Sequence, residues 1–507
     1  MLRKSFLTIG SLLITSPFIH AQKQQTVPNI IIFLVDDMGV MDTSLPFLTD
    51  CNGNPVRYPL NNIYRTPNME KLAHQGIRFS TFYAQSVSSP TRASLMTGQN
   101  SARHGTTNWI RSESNNRDTY GPYDWNWKGI TKETVTLPRI LRNEGYKTIH
   151  VGKAHFAPFH YEGEDPRNIG FDVNIAGNSI GEPGSYLGTD GFGKIHGTKS
   201  RAVPGLEQYE GKDIFLTEAL TLEANKEITK SITEKKPFFL YMSHYAVHRP
   251  FKSDKRFANH YKDAPINEST KKFATLIEGM DKSLGDIIEH LKDLKVADNT
   301  LILFLGDNGS TALIGDPRGY GSSAPLKGKK GAEYEGGTRV PCIVSWAALN
   351  SKSPQQKQWK IAQNKILTQP ATVNDVFPTI LAWANAKNPT NHIIDGFSIN
   401  KMLQGKTDKQ HPTTVLMHFP HNHVGSYFTT WRNNDWKLIY KYNPDTPDKP
   451  AYELYNLKTD PFETCNLSKT FPQKVHTMVK EMIIELKNEK AKYPVDKDGN
   501  SLRPILP

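Results

Sequence analysis

The sequence predicts an α/β protein: a mostly parallel sheet with helices on both faces, and a smaller α+β unit with antiparallel strands at the C-terminal end. Three observations predict it. Between about residues 28 and 345, strand-like apolar runs alternate with helical patterns, as crossover connections in a parallel sheet require. Several of these runs are apolar without interruption, as strands covered on both faces must be. After about residue 400 the texture changes to alternating strands followed by one long amphipathic helix. A chain of 507 residues is long enough for a large core and more than one structural unit.

The elements follow in order. "MLRKSFLTIGSLLITSPFIHAQ" places Arg3 and Lys4 before a short apolar run and the small Ala21, the layout of a secretory signal peptide over residues 1–21. The run is too short to span a membrane. No later run reaches spanning length, and no cysteine follows as a lipid anchor. A soluble, exported protein is expected, periplasmic or secreted, with a catalytic unit over 22–400 and a C-terminal subdomain over 401–507. "NIIIFLV" (29–35) is the first buried strand. "TPNMEKLAHQG" reads as a helix with Thr66 at the N-cap, Pro67 at the first helical position and Gly76 at the stop. "LPRILRNEG" repeats that grammar and feeds the strand "YKTIHV" (146–151). "KPFFLYMS" (236–243) and "NTLILFLG" (299–306) are further buried strands. "YFTTWRNNDWKLIYKY" and "AYELYNL" read as antiparallel strands, and "FPQKVHTMVKEMIIELKNEKAKY" as the final helix.

Cys51, Cys342 and Cys465 lack metal-ligand spacing and allow one disulfide at most, so the fold must rest on core burial. The net charge is +12, or about +10 without Arg3 and Lys4. A basic surface suits an acidic ligand, but Lys and Arg are scattered and no nucleic-acid site is indicated.

Polar residues collect at strand ends. Asp36 and Asp37 follow the first strand, and Asp307 and Asn308 follow "LILFLG". Lys153 and His155 follow "YKTIHV", while His244 and His248 follow "KPFFLYMS". Ligands of open parallel sheets bind beyond the carboxyl ends of the strands, so four strands deliver charge to one edge. Three carboxylates and an amide are all oxygen donors, which favours a hard divalent cation, Ca²⁺ before Mg²⁺, over zinc. In "SVSSPTRASLMTGQ", Pro90 fits the first turn of a helix, Ser88 or Ser89 can cap it and Gly98 ends it. A helix N-terminus also attracts anions. There Ser88 is a candidate nucleophile beside a metal, and Arg92 a candidate partner for its oxygen or for a substrate oxyanion. Together these groups describe transfer or hydrolysis of an oxyanionic ester.

"SSPTRASLMTG" (88–98) resembles the signature of the type I, formylglycine-dependent sulfatases, Cys/Ser-x-Pro-Ser/Thr-Arg-x-x-x-x-Thr-Gly, in its serine form. "VDDMGVMD" (35–42), "GKAHF" (152–156), "HYAVHRP" (244–250), "GDNG" (306–309), "LKGKKGAEYEGGTRVP" (326–341) and "ELYNLKTDPFETCNL" (453–467) each resemble a block of that family, in its order. The resemblance implies an alkaline-phosphatase-like fold and a Ca²⁺-dependent sulfuric ester hydrolase. It implies that a maturation enzyme oxidises Ser88 to formylglycine, whose hydrated form attacks sulfur. Asp36, Asp37, Asp307 and Asn308 would hold the metal, and Arg92 and Lys153 the modified residue. His155 would assist loss of the second proton. Lys330, chosen over Lys329 from its spacing to "EGG", and His248 would bind the sulfate, one of them protonating the leaving oxygen.

The sugar subsite is the least visible part. Aromatic and charged candidates are Arg103, His104 and Trp109 in "ARHGTTNW", the Trp-rich "YDWNW", and His418 and His421 in "HFPHNH". "MGVMDTSLPF" and "RHGTTNW" resemble bacterial sulfatases of galactose-type sugars, which implies an exo-acting enzyme on galactose or N-acetylgalactosamine, with a 4-O-sulfate as first choice. The competing readings are a phosphoester hydrolase of the same superfamily, expected to use paired zinc, and a non-catalytic binder of sulfated glycans.

Overall fold

The structure, a computed structural model, describes residues 27–315, 319 and 321–507. The expected signal peptide, 1–21, lies outside the described residues. The strands in chain order are β1 Asn29–Val35, β2 Ile77–Phe79, β3 Phe82–Tyr83, β4 Lys147–Gly152, β5 Val173–Ile175, β6 Phe238–Ser243 and β7 Thr300–Gly306. They continue as β8 Cys342–Trp346, β9 Lys365–Leu367, β10 Ala371–Thr372, β11 Thr414–Phe419, β12 Tyr427–Asn433, β13 Trp436–Tyr442 and β14 Ala451–Asn456. Eight of them form one sheet in the order β5-β4-β6-β1-β7-β8-β2-β9. Only β8 runs antiparallel to its neighbours there. The fold is the predicted α/β class, a mostly parallel sheet flanked by helices.

The uninterrupted apolar runs are the central strands. Every residue of β1, β6 and β7 is buried. Ile31, Phe33 and Val35 enter the core on one face, with Leu220, Ile277 and Leu284 from the helices Leu216–Thr233 and Glu268–Asp293. Ile30, Ile32 and Leu34 enter the core on the other, with Leu95, Met96 and Ile380 from Ser88–Thr97 and Val376–Trp383. Strand alternation thus feeds two apolar layers from one sequence run. Because β4, β6, β1 and β7 are mutually parallel neighbours, their C-terminal ends open on one edge.

The helix Pro67–Gln75 begins after Thr66, with Pro67 first, as expected. Its capping chemistry differs from the expectation. The Thr66 hydroxyl pairs with Thr43 at 2.7 Å and Ser44 at 2.8 Å. Asp281, from the helix Glu268–Asp293, accepts the free N–H groups of Asn68 and Met69 at 3.0 and 2.8 Å. A carboxylate supplied from another helix satisfies the same orphan donors and complements the dipole.

The C-terminal end carries the antiparallel sheet β11-β12-β13-β14. Leu438 and Leu454 of this sheet pack against Val475, Met478 and Met482 of the helix Pro472–Asn488. A buried ionic group ties this sheet to the segment that leads into β8 and to the one that follows β14. Lys437 on β13 lies 3.0 Å from Glu335 and 2.8 Å from Glu463. No disulfide forms: Cys342 is buried, and Cys51 and Cys465 are exposed. No helix of the described residues is long and apolar enough to cross a membrane.

Candidate active site

The shared strand edge gathers the charged residues that follow β1, β4, β6 and β7. Asp36, Asp37 and Asp307 present carboxylate oxygens all within 4.8 Å of one another, and all three are buried. The backbone N–H of Asp37 donates to Asp307 Oδ1 at 3.0 Å. Asn308 donates from Nδ2 to Asp37 Oδ1 at 2.8 Å, leaving its own Oδ1 toward Ser88.

Ser88 is the first residue of the helix Ser88–Thr97, and Val87, not a serine, occupies the cap position. The expected serine cap is absent because both hydroxyls are engaged outside the helix. Ser88 Oγ donates toward Asp36 Oδ1 at 3.1 Å and Asn308 Oδ1 at 3.2 Å, and lies 3.3 Å from Lys153 Nζ. Ser89 Oγ accepts the N–H of Ile110 at 3.0 Å. Gly98 ends the helix in the left-handed region, φ 68.

Arg92 stands one turn further in, with none of its side chain exposed. Its Nη2 lies 2.8 Å from Asp307 Oδ2, and Nη1 donates to Ser243 Oγ at 2.6 Å and to the carbonyl of Lys153 at 2.9 Å. Lys153 Nζ meets Asp36 Oδ2 at 2.7 Å. Lys330 Nζ meets Asp37 Oδ1 at 2.5 Å, and His248 Nε2 is 3.5 Å from Asp37 Oδ2. His248 Nδ1–H donates to the carbonyl of Arg249 at 3.1 Å. His155 donates Nε2–H to the carbonyl of Ile110 at 2.6 Å, and its buried Nδ1 has no partner.

The electrostatics follow from burial and pairing. Burial, only partly offset by Lys153, pushes the Asp36 carboxyl up to about 8, with Asp307 and Asp37 adding to the rise. Burial is the largest effect on Asp307 and would raise it, but Arg92, Lys153 and Lys330 together outweigh it and keep that carboxyl below its usual range. At Asp37 burial is outweighed in the same way, chiefly by Lys330. Burial would lower Lys330, yet the three aspartates raise it. Burial lowers His155 well below its ordinary value, and lowers His248 to about 4 despite Asp37. Three buried carboxylates whose oxygens lie within 4.8 Å of one another, with Asp36 pushed up by burial, are a donor set that a hard divalent cation fits, since its charge would remove their mutual repulsion.

A pocket of about 750 Å³ opens over these groups. Ser88, Lys153, His155, His248 and Lys330 line its floor, with Trp109 on its wall. The other sugar-site candidates lie elsewhere. Arg103 pairs with Asp395 at 2.7 Å, and His104 with the hydroxyl of Ser94 at 3.1 Å. His418 bridges Thr429 and the carbonyl of Lys492, both at 2.8 Å. His421 sits between Thr107 at 2.8 Å and Asp118 at 3.3 Å. Each is occupied as a structural hydrogen-bonder and none borders the pocket. His244 is likewise buried against Ser283 at 3.0 Å. Instead the rim carries Arg111, Glu182, Arg201, Arg249 and His423, which the sequence reading missed. Arg111 stood two residues beyond Trp109, and His423 two beyond His421.

Residues 28–386 match the family described as "Sulfatase", and residues 329–492 match "N-sulphoglucosamine sulphohydrolase, C-terminal". The human N-acetylgalactosamine-6-sulfatase is 29% identical over 429 residues, covering 80% of this chain and 72% of that protein. A "Sulfatase" of Formosa agariphila is 27% identical over 497 residues, covering 87% of this chain and 84% of that one. The crystal structure of Ps i-CgsB in complex with k-i-k-neocarrahexaose is 26% identical, with a TM-score of 0.71 over 92% of this chain and 94% of the other. A phosphonate monoester hydrolase of Agrobacterium radiobacter, 17% identical with a TM-score of 0.61, shares the fold. The chain belongs to the sulfatase family and is a sulfuric ester hydrolase.

Proposed function

We propose that the protein removes O-sulfate from galactose or N-acetylgalactosamine units of a sulfated carbohydrate, acting at a chain end after export to the periplasm or beyond. One observation carries the reading. Ser88 Oγ lies within 3.3 Å of Asp36, Asn308 and Lys153 on the floor of a pocket that also holds Lys330 and His248. The relatives named N-acetylgalactosamine-6-sulfatase, and the one crystallised with k-i-k-neocarrahexaose, support a sulfated sugar as substrate. A pocket of about 750 Å³ suits one or two sugar units. The charged, then apolar, start of the sequence supports export.

Asp36, Asp37, Asp307 and Asn308 are the residues that would hold Ca²⁺, which supplies charge stabilisation for oxygen atoms facing it. Oxidation of Ser88 to formylglycine by a maturation enzyme would supply an aldehyde whose hydrate is the attacking oxygen nucleophile. Lys153, held by Asp36, reaches the Ser88 oxygen at 3.3 Å and orients it, whereas Arg92 does not touch Ser88 and instead fixes Asp307 and the Lys153 backbone beside it. His155 is neutral, with Nε2–H committed to Ile110, so its open Nδ1 is a proton acceptor. Lys330 stays protonated and faces the sulfate oxygens. A sulfate ester bound beside His248 adds negative charge there and raises its proton affinity, so that Nε2 can carry the proton given to the leaving oxygen. Charges fixed in advance at these positions act where charge develops.

The test is sulfate release from galactose and N-acetylgalactosamine sulfated at O-4 or O-6, using protein matured in an anaerobic host. Release that disappears in Ser88→Ala is expected. Phosphate release with no sulfate release from any ester would overturn the reading.

A further inference from the structure

The pocket extends beyond the groups that would take the reacting sulfate, and its rim is built around one backbone unit. Ile110 donates its N–H to Ser89 Oγ at 3.0 Å and accepts from His155 Nε2 at 2.6 Å. These two bonds tie residue 110 to the neighbour of Ser88 on one side and to a floor residue on the other. Asn116 adds a second clamp, donating to the Trp109 carbonyl at 2.9 Å and accepting the Arg111 N–H at 3.0 Å. Trp109 and Arg111, either side of Ile110, are therefore held at a set distance from Ser88.

Both line the pocket. The Arg111 guanidinium lies 5.7 Å from the centre of the Trp109 ring. Its charge is distinguished from that of the other rim arginines. Arg201 is paired with Glu113, and Arg249 reaches Glu182 at 2.9 Å. Arg111 has no carboxylate within 4 Å among the described residues, although it is felt weakly by Glu113. A guanidinium resting on an aromatic face, exposed toward a pocket and without a carboxylate, is pre-set for a planar or trigonal oxyanion.

We propose that Arg111, backed by Trp109, is a specificity-determining residue that binds a second anionic substituent of the substrate, a sulfate ester or a carboxylate, beside the sulfate ester being cleaved. The preferred substrate is then a sugar carrying two negative groups. This rests on the sulfated-carbohydrate reading of the same pocket.

The experiment compares wild type, Arg111→Gln and Arg111→Lys on three probes: a monosulfated galactoside, the same sugar disulfated, and a disaccharide of sulfated N-acetylgalactosamine with a uronic acid. Wild type should favour one or both dianionic probes. Arg111→Gln should lower that preference by roughly tenfold to a hundredfold through KM rather than kcat, and Arg111→Lys should restore part of it. The probe that loses its advantage identifies the anion as sulfate or carboxylate. An unchanged ratio between dianionic and monoanionic probes in Arg111→Gln, with the protein folded, overturns the assignment. Calorimetric binding of the same probes gives the ratio without turnover. A wild type that binds dianionic sugars in an Arg111-dependent way yet releases no sulfate would overturn the proposed reaction and leave this inference standing.

Discussion

Two nitrogens of Arg92 reach one oxygen of Asp307, Nη2 at 2.8 Å and Nε at 3.2 Å, with neither side chain exposed to solvent. This pair joins the helix that bears Ser88 to the end of β7, which bears two of the four proposed metal ligands, Asp307 and Asn308. It is a hinge point for both stability and chemistry.

Arg92→Met should break that joint. Removing one member of a buried pair leaves the other charge without compensation, at a cost of about 3–5 kcal/mol. A fall in thermal midpoint together with loss of sulfate release is expected, by calorimetry and by assay. A variant of wild-type stability would show that Asp307 is neutralised by something else.

Metal removal should act in the same place. Stripping the protein with a chelator leaves three buried carboxylates within 4.8 Å of one another. Activity and midpoint should both fall and return with added Ca²⁺. At a hundredfold excess over the dissociation constant the gain is about 2.7 kcal/mol. A midpoint indifferent to chelator and to Ca²⁺ would remove the metal from the account.

Gly152 ends β4 immediately before Lys153, at φ +100, where a Cβ would come within 1.9 Å of the carbonyl oxygen of Ser243. Gly152→Ala must therefore push β4 away from β6 and carry Lys153 off Asp36. Stability should fall by about 3 kcal/mol, and sulfate release should fall with it; a variant with wild-type melting and activity would contradict the packing of β4 on β6. Circular dichroism melts and sulfate release measure the two effects separately.

Glu489 gives a pH dependence remote from the proposed catalytic residues. It is 2% exposed, and burial first, then Asp395, raises its carboxyl from the usual 4.5 to about 9. A group raised on folding favours the folded state below the unfolded value and loses that contribution as pH climbs through the folded one. Wild type should lose stability between about pH 4.5 and 9 through this group. In Glu489→Gln that component is absent, so the variant's midpoint relative to wild type should rise from pH 5 to pH 9. A constant difference across that range would contradict the raised carboxyl.

The proposed catalytic floor was far more legible in the sequence than the rim. Asp36–Asp37 and Asp307–Asn308 stand out because β1 and β7 are apolar to their last residues, so a polar pair there has to lie at a sheet edge. The rim residues Arg111, Glu182, Arg249 and His423 come from loops, and Arg201 from a three-residue 3-10 turn, with no periodicity to show which way a side chain turns. Arg103, His104, His418 and His421 carried suitable chemistry, but spacing along the chain could not show that Asp395, Ser94, Lys492 and Asp118 engage them. The cap supplied by Asp281 to a helix more than two hundred residues earlier was hidden for the same reason: it is a tertiary contact in place of a local one. The antiparallel β8 likewise looks, as sequence, like any other buried strand.

The central claim is that Ser88 is a precursor and that its oxidised form does the chemistry. The most direct measurement is the mass of the peptide carrying Ser88, from protein made in an anaerobic host that matures other sulfatases. A peptide lighter by two hydrogens at Ser88 is expected, in a preparation that releases sulfate. An intact serine in an active preparation would contradict it.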